Sequence, residues 1–266
     1  MANVLAASLL EGVGALACQA GAVILPIYQS DFAVGTKNDD SPVTAADHAA
    51  EAVILAGLRR LTPDIPVVAE EEAAAGRVPD IGNDRFWLVD PLDGTREFIK
   101  RNGEFTVNIA LIEEGYPVLG VVYAPAVDCF YAAVGPGSAV IRVRGETRAI
   151  QVRSPSADGV VVVASRSHGD PAQLEAFLKD YTVKALAMTG SSLKFCLVAS
   201  GQADLYPRFG RTMEWDTAAG HAVLLAAGGD VRTVDGETLR YGKPGFENPC
   251  FIASGERGFP GPKGGR

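Results

Sequence analysis

"LVDPLDGTREF", residues 88–98, carries an apolar run into two aspartates, Asp90 and Asp93, with Pro91 and Leu92 between them. Such a run reads as a buried strand, and Pro91 fixes the backbone just after Asp90. A strand that ends in two carboxylates this close pays for their repulsion unless a cation lies between them. The DxxDG spacing turns the chain so that both carboxylates can face one point, and the Leu92 carbonyl can join them. Oxygen-only ligands of this kind suit Mg2+. No histidine or cysteine accompanies them, which argues against zinc. Taken alone, Asp93 before Gly94 is as good a turn as a site.

Other acids sit at comparable places. Glu70 and Glu71 follow the short strand "IPVVA", and Asp216 opens the helical stretch "WDTAAGHAVLLAAGG". Ends of strands and starts of helices line clefts in α/β proteins. Each acid has a plain reading: Asp216 as a helix N-cap, Glu70 to Glu72 as a solvated acidic loop, Asp47 as a first-turn acid complementing a helix dipole. Five acids at such places together (Glu70, Glu71, Asp90, Asp93 and Asp216) weaken those readings. Thr95 adds a hydroxyl able to orient a water beside a metal, and Glu70 or Asp47 would help take its proton if the fold brings either within hydrogen-bond reach. The free N–H groups opening the Asp216 helix attract phosphate.

Outward from this stretch, residues 4–28 have helical apolar spacing. "SPVTAADHAAEAVILAGLRRL" predicts a second helix from Ser41–Thr44 to Leu61, with Pro42 in its first turn and Ala46, Ala49, Val53, Leu55 and Leu58 as its apolar face. Residues 73–84 read as a loop. "FTVNIALIE", "VLGVVYAP", "DCFYAAV" and "SAVIRVR" predict antiparallel strands. From residue 160 the pattern changes to strand–helix alternation: "VVVVAS", "DPAQLEAFLKDY", "VKALAM", "GSSLKFCLVASG", "ADLYPR", then the Asp216 helix. The fold class is therefore α/β, with an α+β first half and an α/β second half. The change places a boundary near residue 150, between 1–150 and 151–256, and the Gly-rich end, 257–266, reads as a disordered tail.

The 266 residues suffice for one large domain or two small ones, and the charge of −8 without a Lys/Arg run disfavours nucleic acid and anionic membranes as partners. A small anionic substrate then needs a local attractor, such as a bound cation. Cys18, Cys129, Cys196 and Cys250 show no ligand spacing, and the first three sit among apolar neighbours as small hydrophobes. The opening segment lacks a basic leader, and Glu11 and Gln19 interrupt its apolar run. Neither a signal peptide nor a transmembrane helix is expected. A cytoplasmic location follows. Peripheral attachment at the inner face of the cell membrane stays open, as do monomer and homodimer.

The three acidic elements, "AEEE" (69–72), "DPLDGT" (90–95) and "WDTAAG" (215–220), resemble in order and separation the metal-binding elements of the inositol monophosphatase-like, lithium-sensitive phosphatases. The resemblance covers nearly the whole chain. It implies a layered αβαβα sandwich and Mg2+-dependent phosphomonoester hydrolysis. "REFIKRNGEFTVNIALI" and "GSSLKFCLVASGQADLYPRFGRTMEWDTAAGHAV" look like the 3′(2′),5′-bisphosphate nucleotidase branch, which implies adenosine 3′,5′-bisphosphate (PAP) as substrate and AMP and phosphate as products. The resemblance implies these roles: Glu70, Asp90 and the Leu92 carbonyl on one Mg2+; Asp90, Asp93 and Asp216 on a second; Glu70 reaching a third, looser ion. It also implies Asp47 and Thr95 activating water, Gly94 and Thr95 donating to the phosphate, and Ser192, Lys194 and Arg208 meeting the nucleotide. The plain readings of those last three are a capping hydroxyl and solvated cations. Inositol 1-phosphate, fructose 1,6-bisphosphate and the sulfated precursor PAPS remain open as substrates. A non-catalytic metal-binding regulator would be marked by loss of Thr95 or of an acid, and none is lost. The haloacid dehalogenase-like phosphatases share DGT but space their acids DxDGT.

Overall fold

A computed structural model describes residues 2–37, 42–82, 85–167 and 169–255. Five layers stack in the order helix, sheet, helix, sheet, helix. Helix α1 (Ala2–Gln29) and helix α2 (Ala45–Leu61) form the first. The second is a seven-stranded sheet ordered β3 (Val67–Ala69), β4 (Arg85–Asp93), β5 (Thr106–Glu113), β6 (Tyr116–Ala124), β7 (Cys129–Val134), β8 (Val140–Val143) and β9 (Glu146–Ala149). Only β3 and β4 pair in parallel there; the rest is an antiparallel meander, as the separating Gly and Pro residues imply.

Period-two alternation sends the two faces of each strand into different cores. Trp87, Val89, Val107, Ile109 and Val121 pack under α1 and α2. Leu88, Ala110, Ile112 and Val122 face the middle layer, α6 (Leu193–Ala199) and α7 (Glu214–Ala226). Beyond it lies a five-stranded sheet ordered β11 (Val183–Thr189), β10 (Val160–Ser165), β12 (Leu205–Arg208), β14 (Phe251–Ser254) and β13 (Asp230–Thr233). Its outer face, through Val160, Val162, Leu205 and Ile252, covers Phe177 of α5 (Pro171–Leu178).

Helix α7 lies tightly on the first sheet. A Cβ added at Gly120 of β6 would sit 2.4 Å from the Ala219 carbonyl oxygen and 2.7 Å from the Ala222 Cβ, so only glycine admits the helix at this depth.

Several sequence expectations need correction. Pro42 is not in the first turn of α2 but in the short strand β2 (Pro42–Thr44), which pairs with β1 (Val34–Thr36). Thr44 is the N-cap: its hydroxyl accepts from Ala46 N, and Asp47 reaches back to Thr44 N, a reciprocal pair that starts the helix there. The buried face of α2 is Ala46, Ala50, Ile54, Leu55 and Leu58, rotated from the one expected; Ala49 and Val53 lie at its margin. Residues 73–84 do not begin as loop, because a short helix, α3, spans Glu70–Ala74. Ser41 and the 257–266 tail lie outside the described residues. Segment Ala6–Gln29 is long and apolar enough to match a membrane span by length and composition alone, which the interrupted apolar run did not suggest. Glu11 and Gln19 interrupt the sequence but occupy the exposed side, while Val13, Leu16, Ala17, Ala20 and Ile24 are buried in the first core.

Candidate active site

The DxxD pair owes its geometry to a β-bulge. On β5, Asn108 pairs with Asp90 and Thr106 with Asp93, so three steps along β4 match two along β5. The extra residue returns Asp93 to the face that Asp90 occupies. That face is the α6/α7 side, while Leu92 turns into the first core. Asp90 Oδ1 accepts from Leu92 N at 2.9 Å. Gly94 then takes φ +93°, a left-handed conformation that suits glycine, and α4 (Thr95–Ile99) begins.

Three elements bring Glu70, Asp90 and Asp216 together: the start of α3, the end of β4 and the first turn of α7. One oxygen from each lies within 4.8 Å of the others. Asp216 is not an N-cap. It is the third residue of α7, and its Oδ2 accepts from Met213 N at 2.9 Å. Burial, then the charges of Glu70, Asp93 and Asp216, push Asp90 well above the usual carboxylate range. Burial, then Asp93 and Glu70, do the same to Asp216. Partly to fully buried oxygen donors repelling one another at this spacing fit a hard divalent cation.

Asp93 adjoins this triad and is anchored separately, accepting from Ser192 N at 2.6 Å and Asn108 Nδ2 at 3.3 Å. Burial raises its pKa, while Lys194, Asn108 and Ser192 partly offset that. Ser192 Oγ donates to the Asp216 carbonyl oxygen, and Asn108 Nδ2 donates to Ser192 Oγ at 2.9 Å. Ser192 is thus no capping hydroxyl but a bracket between the second and third acidic elements.

Asp47 Oδ2 accepts from Thr44 N and Thr44 Oγ1, both at 2.8 Å, and Oδ1 accepts from Thr95 Oγ1 at 3.2 Å. Thr95 Oγ1 also lies 3.3 Å from the Leu92 carbonyl oxygen. Burial raises the Asp47 pKa against the lowering effect of its Thr44 bonds.

Lys194 and Arg208 are not solvated: they are 4% and 5% exposed. Lys194 Nζ donates to the Ser191 carbonyl at 2.5 Å and lies 5.2 Å from the Tyr206 ring centroid. Burial lowers its pKa to about 8, against the attraction of Asp93. Arg208 Nη2 donates to the Arg211 carbonyl at 2.6 Å. Both line the cleft of about 820 Å3 that Glu70, Asp90, Asp93, Gly94, Thr95 and Asp216 also line.

Sequence reasoning missed Lys37, whose Nζ lies 2.6 Å from both Glu70 Oε1 and Glu71 Oε1. Burial opposes its charge, but the two carboxylates outweigh that and hold it above the ordinary lysine range. It missed Asn108 as well, inside what reads as a plain strand. Glu72, read as solvated, pairs with the exposed Arg77 at 2.7 Å.

Comparison with known proteins follows the same lines. The chain is 54% identical over 246 residues to the 3′(2′),5′-bisphosphate nucleotidase CysQ of Salmonella typhimurium, covering 91% of this chain and 98% of that one. Its fold is similar to the crystal structure of CysQ from Bacteroides thetaiotaomicron, with TM-score 0.79, 40% identity and coverage of 94% and 98%. It is also similar to an inositol monophosphatase from Anabaena, with TM-score 0.74, 28% identity and coverage of 96% and 92%. The model of the inositol monophosphatase family matches residues 6–255, and the chain, with its acid triad and layered sandwich, belongs to that metal-dependent family.

Proposed function

We propose that the chain is a 3′(2′),5′-bisphosphate nucleotidase that hydrolyses the 3′-phosphate of PAP to AMP and inorganic phosphate in the cytoplasm. One observation carries this: a single cleft is lined both by an acid triad centred on the buried Asp90 and by two buried cations, Lys194 and Arg208. A substrate with two phosphates on one nucleoside matches both features. The identity to nucleotidases over nearly their whole length supports the same reading.

Glu70, Asp90, Asp93, Asp216 and the Leu92 carbonyl would hold two Mg2+ ions, with Glu70 reaching a third. When bound, Mg2+ neutralises the phosphate and acidifies water, which is the chemistry such sites contribute. The protein's own groups do the positioning. Asp47, fixed by Thr44, orients the Thr95 hydroxyl, leaving a Thr95 lone pair to accept from the attacking water. Asp47 then receives the proton that Thr95 passes on, and Glu70 is the alternative acceptor. Gly94 and Thr95 offer backbone N–H groups to the scissile phosphate at the start of α4, while Lys194 and Arg208 hold the remainder of the nucleotide beside Ser192. In this reading residues 1–150 carry most of the ligands, and 151–256 complete the site.

The test is phosphate release from PAP, PAPS, inositol 1-phosphate and fructose 1,6-bisphosphate, with and without Mg2+. PAP turnover should require the ion and exceed that of the two sugar phosphates by at least about tenfold in kcat/KM, roughly one good polar contact. A preference for inositol 1-phosphate sinks the assignment.

A further inference from the structure

Glu97 has no part in the chemistry above, yet it is 2% exposed and lines the cleft two residues beyond Thr95. A buried carboxylate needs a partner. Glu97 finds it on the other sheet: Ser167 Oγ, just past the end of β10, donates to Glu97 Oε1 at 2.6 Å. Glu104, seven residues on, makes a parallel connection. Its Oε1 accepts from Arg166 Nη2 at 2.9 Å and its Oε2 from Gly190 N at 2.8 Å. The same Arg166 nitrogen donates to the Met188 carbonyl at 2.6 Å. A Cβ at Gly190 would lie 2.6 Å from Glu97 Cγ, so backbone and carboxylate stem are in direct contact.

The segment between the catalytic turn and β5 thus grips the ends of both β10 and β11. These neighbouring strand ends bring Ser165, Gly190 and Ser191 into the cleft wall, beside Lys194 at the start of α6. Ser165 and Arg208 also border an adjoining cavity of about 160 Å3. Glu97, two residues from Thr95 in the chain, reaches this wall through the Ser167 hydrogen bond and the Gly190 contact, and a group held by packing and hydrogen bonds transmits position faithfully.

We propose that Glu97 is a positioning residue for nucleotide binding. Through Ser167 it sets the Ser165–Ser167 strand end at a fixed distance from the acid triad, so that the nucleoside is held in register with the phosphate being removed. The inference rests on the nucleotidase reading. It is tested by AMP binding in equilibrium dialysis, with kcat and KM for PAP alongside, in Glu97→Ala, Glu97→Gln and Ser167→Ala. Glu97→Ala should weaken AMP binding and raise KM about tenfold, the worth of one buried hydrogen bond, while kcat changes far less. Glu97→Gln keeps an acceptor oxygen for Ser167 and should bind AMP within about threefold of wild type. Ser167→Ala should match Glu97→Ala, and the double variant should be no worse than either.

Normal AMP affinity in Glu97→Ala overturns the proposal. So does Glu97→Gln as impaired as Glu97→Ala, or a fall in kcat with KM unmoved. If Glu97→Ala does not fold, Ser167→Ala decides, and its normal AMP affinity overturns the proposal equally. A wild type that neither binds AMP nor hydrolyses PAP overturns the nucleotidase reading and this proposal with it.

Discussion

Two acids on the first turn of α7 live under opposite rules. Glu214 is fully buried and satisfied: it accepts from Gly242 N at 2.7 Å and Lys243 N at 3.0 Å, and Lys243 Nζ lies 2.6 Å away. Asp216, two residues on, has one backbone donor, and the attraction of Arg208 is smaller than the repulsion of Asp93 and Glu70. The chain evidently has the means to neutralise a buried carboxylate. At Glu214 it supplies an ammonium and two N–H groups, while at Asp216 and Asp90 each carboxylate has one backbone donor and the neighbouring carboxylates are the larger charge effect. The difference separates an acid that anchors a loop from acids that await an ion, and it is the strongest physical argument for metal binding here.

The comparison can be broken by experiment. The largest effect belongs to Asp90→Asn, which should cost about a thousandfold or more in PAP turnover, because several kcal/mol of charge stabilisation go with the metal. The same substitution should stabilise the metal-free protein by about 1–3 kcal/mol at pH 8, since it removes an uncompensated buried charge. Denaturant unfolding without Mg2+ reads this, and a destabilised variant would mean the acids are already neutralised internally. Next, Glu214→Ala should destabilise by about 3–5 kcal/mol in the same assay, because Lys243 and two N–H groups lose their partner. A loss below about 1 kcal/mol would erase the contrast.

The smallest effect sharpens the picture of α7 one turn further along. His221 is fully buried against Tyr241, with Nδ1 2.9 Å from its hydroxyl oxygen, and burial pushes its pKa down to about 3. A histidine depressed on folding binds its proton more readily when unfolded. Its contribution is complete above about pH 6.5 and is lost as pH falls toward 3. Unfolding curves between pH 6.5 and 4.5 should show the wild type losing about 2–3 kcal/mol relative to His221→Gln. Parallel curves would place a protonated His221 in the native state.

Much of this was legible in the sequence. The three acidic elements, the order of helices and strands and the change of pattern after residue 150 follow from periodicity and from residue types at element ends. What was hidden has physical causes. The bulge that turns DxxD into a same-face pair depends on register with β5, which no local spacing encodes. Lys194 and Arg208 were expected at the nucleotide only through the resemblance, their plain reading being solvated cations; their burial depends on the packing of Tyr206 and on turn carbonyls three residues away, which residue type alone does not encode. The α2 face was misplaced because Ala49 and Ala50 are chemically alike, and only the packing of α1 chooses between them. Lys37 stands beyond a polar loop start and gave no signal at all.

Gly120 has a last consequence. The absence of a side chain there lets α7 rest on the sheet with Ala219 and Ala222 as spacers. The helix carries Asp216, and the sheet carries Asp90. The thickness of this small-residue seam is therefore the gauge of the site, fixing the span across which the acids must close. Enlarging a residue in the seam would leave every acid in the sequence intact and still change the radius of ion that the acids can share.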